Sequence, residues 1–389
     1  MRRPERQPPD DTEASWRHRS RLCYRRNHSL DASSQYASTQ VLRAIGRPEE
    51  SDMDLGTTYL GLALRNPIIA SASPLTGEVG TIRQLEDWGA GAVVLPSLFE
   101  EQIRQEEQLA EMLTSVGADS SPEASSYFPA STTYNAGPHG YLDLVARARA
   151  AVDIPVIASL NGTTEAGWVD YARLVEQAGA AALELNIYRI EVRPAMTGAE
   201  VDADCMRLFT AVRSRVAIPV SVKLHPCYSA FGALALQLDA AGADGLVLFN
   251  RVYQSDIDLN NLRWSNNVAL SGAGEIQLGL LWLSLLAGRM QRASLAASTG
   301  VETADEVIKY LLAGADAVMT TSALLRHGPR HLRTLVASLE AWLSARGYTS
   351  VTAIRGLMRR THPEGLTEVR GRSDYIQSLL GYRGPYAHR

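Results

Sequence analysis

The sequence predicts an α/β fold, a closed (β/α)8 TIM barrel, on three observations. From Met53 onward, short apolar runs alternate with amphipathic stretches. There are eight such runs. Four of the amphipathic stretches lead into the next run through a related glycine junction. Short apolar runs separated by helices read as parallel strands covered on both faces. Eight of them with a recurring helix-to-strand turn point to a barrel. A doubly wound open sheet is the alternative, but no G-x-G-x-x-G follows any strand, which counts against a dinucleotide-binding version.

The strands are expected at Pro67–Ser71, Ala92–Leu95, Pro155–Leu160, Ala181–Asn186, Pro219–Leu224, Gly245–Asn250, Ser294–Ser298 and Ala317–Thr320. Helical periodicity falls at Thr81–Trp88, Ala166–Ala178, Asp202–Val216, Ala230–Ala241, Gln277–Met290, Ala304–Ala313 and Pro329–Ala345. The junctions read Trp88-Gly-Ala-Gly-Ala-Val, Gln177-Ala-Gly-Ala-Ala-Ala, Ala240-Ala-Gly-Ala-Asp-Gly and Leu312-Ala-Gly-Ala-Asp-Ala. In each, glycine supplies a left-handed helix cap and a small residue follows. Two connections, Ser97–Ala151 after the second strand and Arg251–Glu275 after the sixth, exceed ordinary βα loops. They are expected to cover the C-terminal face of the barrel, where such folds carry their sites. The acidic stretch Glu100–Glu107 reads as a solvated helix.

Residues 1–52 hold ten arginines and no sustained apolar periodicity, so they are read as a disordered extension. Met53 could itself be the start of the globular chain. Acidic residues 10, 11 and 13 weaken a transit-peptide reading, and no secretory apolar stretch exists. The barrel is assigned to 53–345, and 346–389 to a helical or irregular tail. A net charge of −4 offers no basic field for nucleic acid or a membrane surface. No run approaches the roughly 18 apolar residues of a membrane span. Three scattered cysteines suit neither a disulfide framework nor a metal centre, which favours a cytoplasmic protein.

Candidate chemistry collects at strand exits. Asn186, Asn250 and Asn161 end or follow the fourth, sixth and third strands, where amides can read the edge of a planar heterocycle. Local backbone bonding is their plainer role. Only two of the 38 basic residues are lysines, Lys223 and Lys309. Lys223 ends the fifth strand, where a compact ammonium fits and a guanidinium fork does not. Lys309 reads as surface. Ser298-Thr299-Gly300 and the capping box from Thr303 to Glu306 follow the seventh strand, and Thr321-Ser322 follows the eighth. With Ser271-Gly272 they make a candidate phosphate site, the alternative being ordinary helix caps.

From Met53 to about Arg355 the chain resembles the dihydroorotate dehydrogenase family in its class 1 arrangement. The resemblance rests on Asn66-Pro67, Ser71-Ala72-Ser73, Tyr134-Asn135-Ala136-Gly137, Glu184-Leu185-Asn186, Val222-Lys223-Leu224, Leu270-Ser271-Gly272, Thr299-Gly300-Val301-Glu302 and Ser322-Ala323-Leu324, in order. It implies an FMN-dependent oxidoreductase acting on a CH–CH bond, with a link to pyrimidine biosynthesis. FMN would lie against Ser71, Ala72, Ser97, Asn161, Asn186, Lys223, Asn250, Ser271, Gly272, Thr299, Gly300, Thr321 and Ser322. An anionic small-molecule substrate would meet Asn135, Asn186, Arg189 and Asn250. The electron acceptor is unknown, and a homodimer is compatible.

The loop after Asn186 departs from the family. Where the family places a base, cysteine or serine, this chain has Arg189, which cannot accept a proton near neutral pH. The family's loop asparagine is Glu191, and Leu95-Pro96-Ser97 lacks its lysine. Lys223, His225 and Arg189 are therefore the catalytic candidates, with Tyr188, Glu191 and Cys227 as further replacements. The rival to an enzyme is a flavin-binding or regulatory barrel without dihydroorotate turnover.

Overall fold

Eight parallel strands close into a barrel in the order β11-β12-β3-β4-β5-β6-β7-β8. The computed structural model describes residues 53–104, 137–162, 168–252, 255–265, 269–360 and a few positions between 373 and 381. The barrel strands are β3 (Ile68–Ala70), β4 (Ala92–Phe99), β5 (Val156–Asn161), β6 (Ala182–Asn186), β7 (Val220–Leu224), β8 (Gly245–Leu248), β11 (Ser294–Ala297) and β12 (Ala317–Thr320). Each coincides with an expected run. The largest correction is β4, which continues to Phe99 with a register shift between Val94 and Ser97. Ser97 therefore lies inside a strand.

The outer layer contains α1 (Val79–Asp87), α2 (Gly137–Ala151), α3 (Trp168–Gln177), α4 (Gly198–Arg213), α5 (Phe231–Ala240), α6 (Gln277–Leu286), α7 (Ala304–Ala313), α8 (Ser322–His327), α9 (His331–Ala345) and α10 (Val351–Ile354). Helix α2 was not expected; it occupies the end of the first long connection and buries Tyr141, Val145 and Ala148. The second long connection holds a two-stranded hairpin, β9 (Asp256–Asp258) with β10 (Arg263–Ser265). Residues 1–52, all of 105–136 and most of the tail beyond 360 lie outside the described residues. The described part of the acidic stretch, 100–104, is helical with Glu101 exposed, while Glu100 is buried and paired with Arg104; residues 105–107 lie outside the described residues.

The four junction glycines, Gly89, Gly179, Gly242 and Gly314, all have positive φ, between 93° and 116°. A side chain would strain that left-handed backbone, so glycine sets the sharp return into the strand. Three junctions share a second device. Glu86, Glu176 and Asp239 each stand three residues before the glycine. Glu86 Oε1 accepts from Asp153 and Ile154 N–H, and Glu176 Oε1 from Ala217 and Ile218 N–H. Asp239 accepts from Gln291, Arg292 and Ala293 N–H. Each acid thus pins the loop that enters the next strand but one. These donors precede strands and would otherwise depend on water, the buried Ala293 N–H excepted.

The barrel interior is apolar at its lower end, with Ile69, Val94, Ile157, Val247 and Met319 packed together. An antiparallel hairpin, β1 (Thr57–Tyr59) and β2 (Leu62–Leu64), contributes Tyr59, Leu60 and Leu64 to that cluster. Gly245 makes room for the hairpin, since a Cβ there would stand 2.4 Å from Leu60 Cδ2. Higher up, Ser159, Glu184 and Ser221 are in register on β5, β6 and β7, followed by Asn161, Asn186 and Lys223. Strand alternation directs this second set of residues into the same interior. The barrel therefore changes from oily to polar toward the strand exits.

Candidate active site

A cleft of about 240 Å³ opens at the exits of β3, β7, β8, β11 and β12. Its walls include Ser71, Ala72, Lys223, Asn250, Ser271, Thr299, Gly300, Thr321 and Ser322. Gly272 adjoins it with no atom within 4 Å of a would-be Cβ. The cleft thus gathers most of the residues expected from the sequence. Ser97, Asn161, Asn186, Arg189 and His225 are outside its wall, and Asn135 lies outside the described residues.

At one end the loops meet through short polar contacts. The hydroxyls of Ser271 and Ser322 are 2.9 Å apart, Ser271 N–H donates to Ser322 Oγ, and Gly300 N–H donates to Ser271 Oγ. Gly300 has φ +77°, and a Cβ on it would stand 2.7 Å from Ile276 Cγ2 and 2.9 Å from the Gly272 carbonyl. Only glycine allows so close a backbone approach. Thr299 has φ +80°, a costly conformation for a β-branched residue, and its hydroxyl donates to the Phe249 carbonyl. Arg251 grips Glu275 through two nitrogens and also reaches the Ala269 carbonyl, while Arg326 donates to Leu270 O. The result is a ring of hydroxyls and backbone groups bonded to one another at this end of the cleft.

At the other end, Lys223 Nζ is 3.4 Å from Ser71 Oγ and 3.4 Å from Glu184 Oε1. Glu184 is fully buried, and its Oε2 has no hydrogen-bond partner. Burial, then the charge of Glu184, pushes the Tyr59 phenol beneath it well above its ordinary pKa. Asn250 Nδ2 donates to Asn186 Oδ1 at 2.8 Å. That contact leaves the Asn186 amide hydrogens and the Asn250 carbonyl oxygen to meet a ligand edge. Ser97 instead shares a hydrogen bond with Ser159 at 2.8 Å, between β4 and β5. Asn161 closes β5 beside Asn186 in register.

The loop after β6 is an ion-pair chain. Arg189 binds Asp204 at 2.7 Å and Glu191 at 2.5 Å, and Arg193 grips the same Glu191 through two nitrogens. The Asp204 hydrogen bond holds the Arg189 guanidinium above its ordinary pKa. His225 is buried and stacks on Tyr228 with ring centroids 4.4 Å apart. Its Nδ1 accepts from the Cys227 N–H, so the neutral ring carries its proton on Nε2. Burial lowers its pKa and keeps the ring neutral. Neither nitrogen is set to take a proton from a ligand. Cys205 is buried near Tyr228, with its thiol pushed up to about 12, while Cys227 is exposed.

Sequence reasoning missed Glu184 as a site residue. The available signal was a carboxylate in the interior of a strand, flanked by the apolar Leu183 and Leu185. No helix among the described residues is long and apolar enough to cross a membrane.

Comparison with known proteins gives a consistent result. A sequence model of the family described as dihydroorotate dehydrogenase matches residues 54–343. A protein of Aeropyrum pernix named "Putative dihydroorotate dehydrogenase A (fumarate)" is 29% identical over 316 residues, 80% of this chain and 99% of that protein. The "Dihydroorotate dehydrogenase B (NAD(+)), catalytic subunit" of Shouchella clausii is 27% identical over 308 residues, 76% of this chain and 95% of its own. The protein of the same name from Listeria innocua is 34% identical over 175 residues, 43% of this chain and 56% of its own.

Proposed function

The chain belongs to the dihydroorotate dehydrogenase family of oxidoreductases, and on that footing we propose that it holds FMN and acts on a CH–CH bond of a dihydroorotate-like dihydro-heterocycle. The observation that carries this reading is the cradle of Ser271, Gly300 and Ser322 on a cleft whose far wall is Ser71 and Lys223. Ser271, Gly272, Thr299, Gly300, Thr321 and Ser322 would hold the phosphate, and Ser71, Ala72 and Lys223 the ring. When bound, FMN supplies a hydride acceptor or donor. Asn186 and Asn250 would orient the heterocycle through the donor and acceptor their mutual contact leaves over. Lys223 would set a positive charge beside the ring and the substrate.

The proton half of the reaction is where this chain departs from the family's pattern. Arg189 at the base position is a permanent cation tied to Asp204 and Glu191, so it fixes the loop and takes up no proton. The relatives' names carry two acceptors, fumarate and NAD(+), so turnover is best measured with an artificial acceptor. A cytoplasmic location and a small anionic substrate belong to the same proposal.

The purified protein is expected to release FMN on acid treatment, resolved by chromatography. Mostly FAD would remove the single-phosphate argument, and no flavin would remove the cofactor reading. Gly300→Ala should fold by circular dichroism yet lose most of its flavin, because the added Cβ cannot fit at positive φ. Flavin without turnover of any dihydro-heterocycle would favour the regulatory alternative.

Removing residues 1–52 is expected to leave both soluble expression and flavin content unchanged, since β1 to β12 and the cleft lie beyond them. Loss of either in a chain starting at Met53 would overturn the assignment of that segment as an extension.

A further inference from the structure

We propose that Glu184 is a positioning residue that anchors the Lys223 ammonium and balances its charge beneath the cleft, an inference that rests on the flavin reading above. Glu184 is fully buried inside the barrel, between the serines of the neighbouring strands. One carboxylate oxygen is 3.4 Å from Lys223 Nζ, and the other has no partner. A lone ion pair in a dry interior does not repay its desolvation, and apolar residues of similar volume are usually as stable. The position is therefore poorly explained by stability. Its one side-chain hydrogen bond among the described residues, at 3.4 Å, is with the lysine that reaches the cleft.

Lys223 spans the boundary between the two regions. Its Nζ touches Ser71 on the cleft side and Glu184 on the inner side, both at 3.4 Å. A tether on one side alone would let a flexible four-carbon stem swing. With both, the ammonium stays at the cleft wall and its field is partly cancelled by a carboxylate that no solvent screens. The electron affinity of a ring bound against it is then set by the pair and not by the lysine alone.

The test is the reduction potential of bound FMN. Glu184→Gln keeps the shape and removes the negative charge. The potential should become more positive, with the ratio of affinities for reduced over oxidised FMN rising roughly tenfold or more. The same substitution made on Lys223→Met should move the potential far less, because no ammonium remains to be unbalanced. An unchanged potential in fully loaded Glu184→Gln, or an equal shift on the Lys223→Met background, overturns the proposal. A merely structural role would lower flavin content without that sign and without that dependence. If Glu184→Gln alone does not fold while Glu184→Gln/Lys223→Met does, the coupling of the two charges is supported; if neither folds, the positioning role is rejected in favour of a packing role. Should the wild type take up no FMN, the flavin reading fails by itself, and the apoprotein decides the inference about Glu184. With two lysines in the chain, the Lys223 ammonium can be followed by nitrogen-15 NMR against Lys309. A solvent-protected Lys223 signal that is lost in Glu184→Gln supports the anchor, and one that persists unchanged overturns it.

Discussion

Dihydroorotate supplied to the FMN-loaded protein with an artificial acceptor should be oxidised slowly, short by the roughly 10²–10⁴ that a positioned base contributes. Oxidation of a CH–CH bond gives up a hydride and a proton, and the proton needs an acceptor within hydrogen-bond reach. The family resemblance puts it in the loop after β6, and there Arg189 and Glu191 are committed elsewhere. Arg189 carries a fixed charge held by Asp204 and Glu191. Glu191 also receives Arg193 through both oxygens. His225 already accepts the Cys227 N–H at Nδ1, and burial keeps it neutral. Arg189→Ala should therefore leave the slow rate slow, while loosening the loop by removing the guanidinium that ties Glu191 to Asp204; Arg193 and Arg207 still hold the two carboxylates. Fast turnover by the wild type, kept in Arg189→Ala and abolished in His225→Ala, would overturn this account and make His225 the base.

The barrel was legible because its signals are local. Apolar runs mark strands buried on both faces, and each junction glycine is needed for a left-handed turn seen at Gly89, Gly179, Gly242 and Gly314. The candidate cradle was legible in part for a related reason: Gly300 and Ser322 closely follow β11 and β12, whereas Ser271 reaches them from the long connection after β8. What the sequence hid depends on partners far along the chain. The pairing of Arg189 with Asp204 needs α4 folded against the loop, and it sets the expected ligand anchor in an ion-pair chain. The Glu184 contact with Lys223 spans 39 positions and two strands. The expected strand stops at Leu95, whereas β4 absorbs Pro96 with a register shift and carries Ser97 within it. Helix α2 was missed because its apolar stripe of Tyr141, Val145 and Ala148 sits among arginines in a stretch otherwise read as a loop.

Asp239→Ala should be the most destabilising of the three junction acids, by about 3 kcal/mol. Its carboxylate accepts the N–H groups of Gln291 at 2.7 Å, Arg292 at 3.0 Å and Ala293 at 2.7 Å. All three lead into β11, so truncation orphans three donors at once, and the donor of Ala293 is buried. Bonds to a charged acceptor are each worth about 1.5–3 kcal/mol, but water can reach and repay part of the loss at the two outer donors. Glu86 and Glu176 each hold two donors, one of them exposed, and their replacement by alanine should cost about half as much. A fall in Tm of roughly 5–10 °C is expected for Asp239→Ala, with a smaller fall for Glu86→Ala and Glu176→Ala. Asp239→Asn, which keeps one acceptor oxygen, should lie between wild type and alanine. Because β11 leads directly to Thr299 and Gly300, slackening its entry should also weaken retention of FMN in Asp239→Ala, and more than in Glu86→Ala or Glu176→Ala, whose carboxylates pin the entries to β5 and β7. Equal melting temperatures for Asp239→Ala and the wild type would show that solvent satisfies the entering strand and that these acids are not clamps.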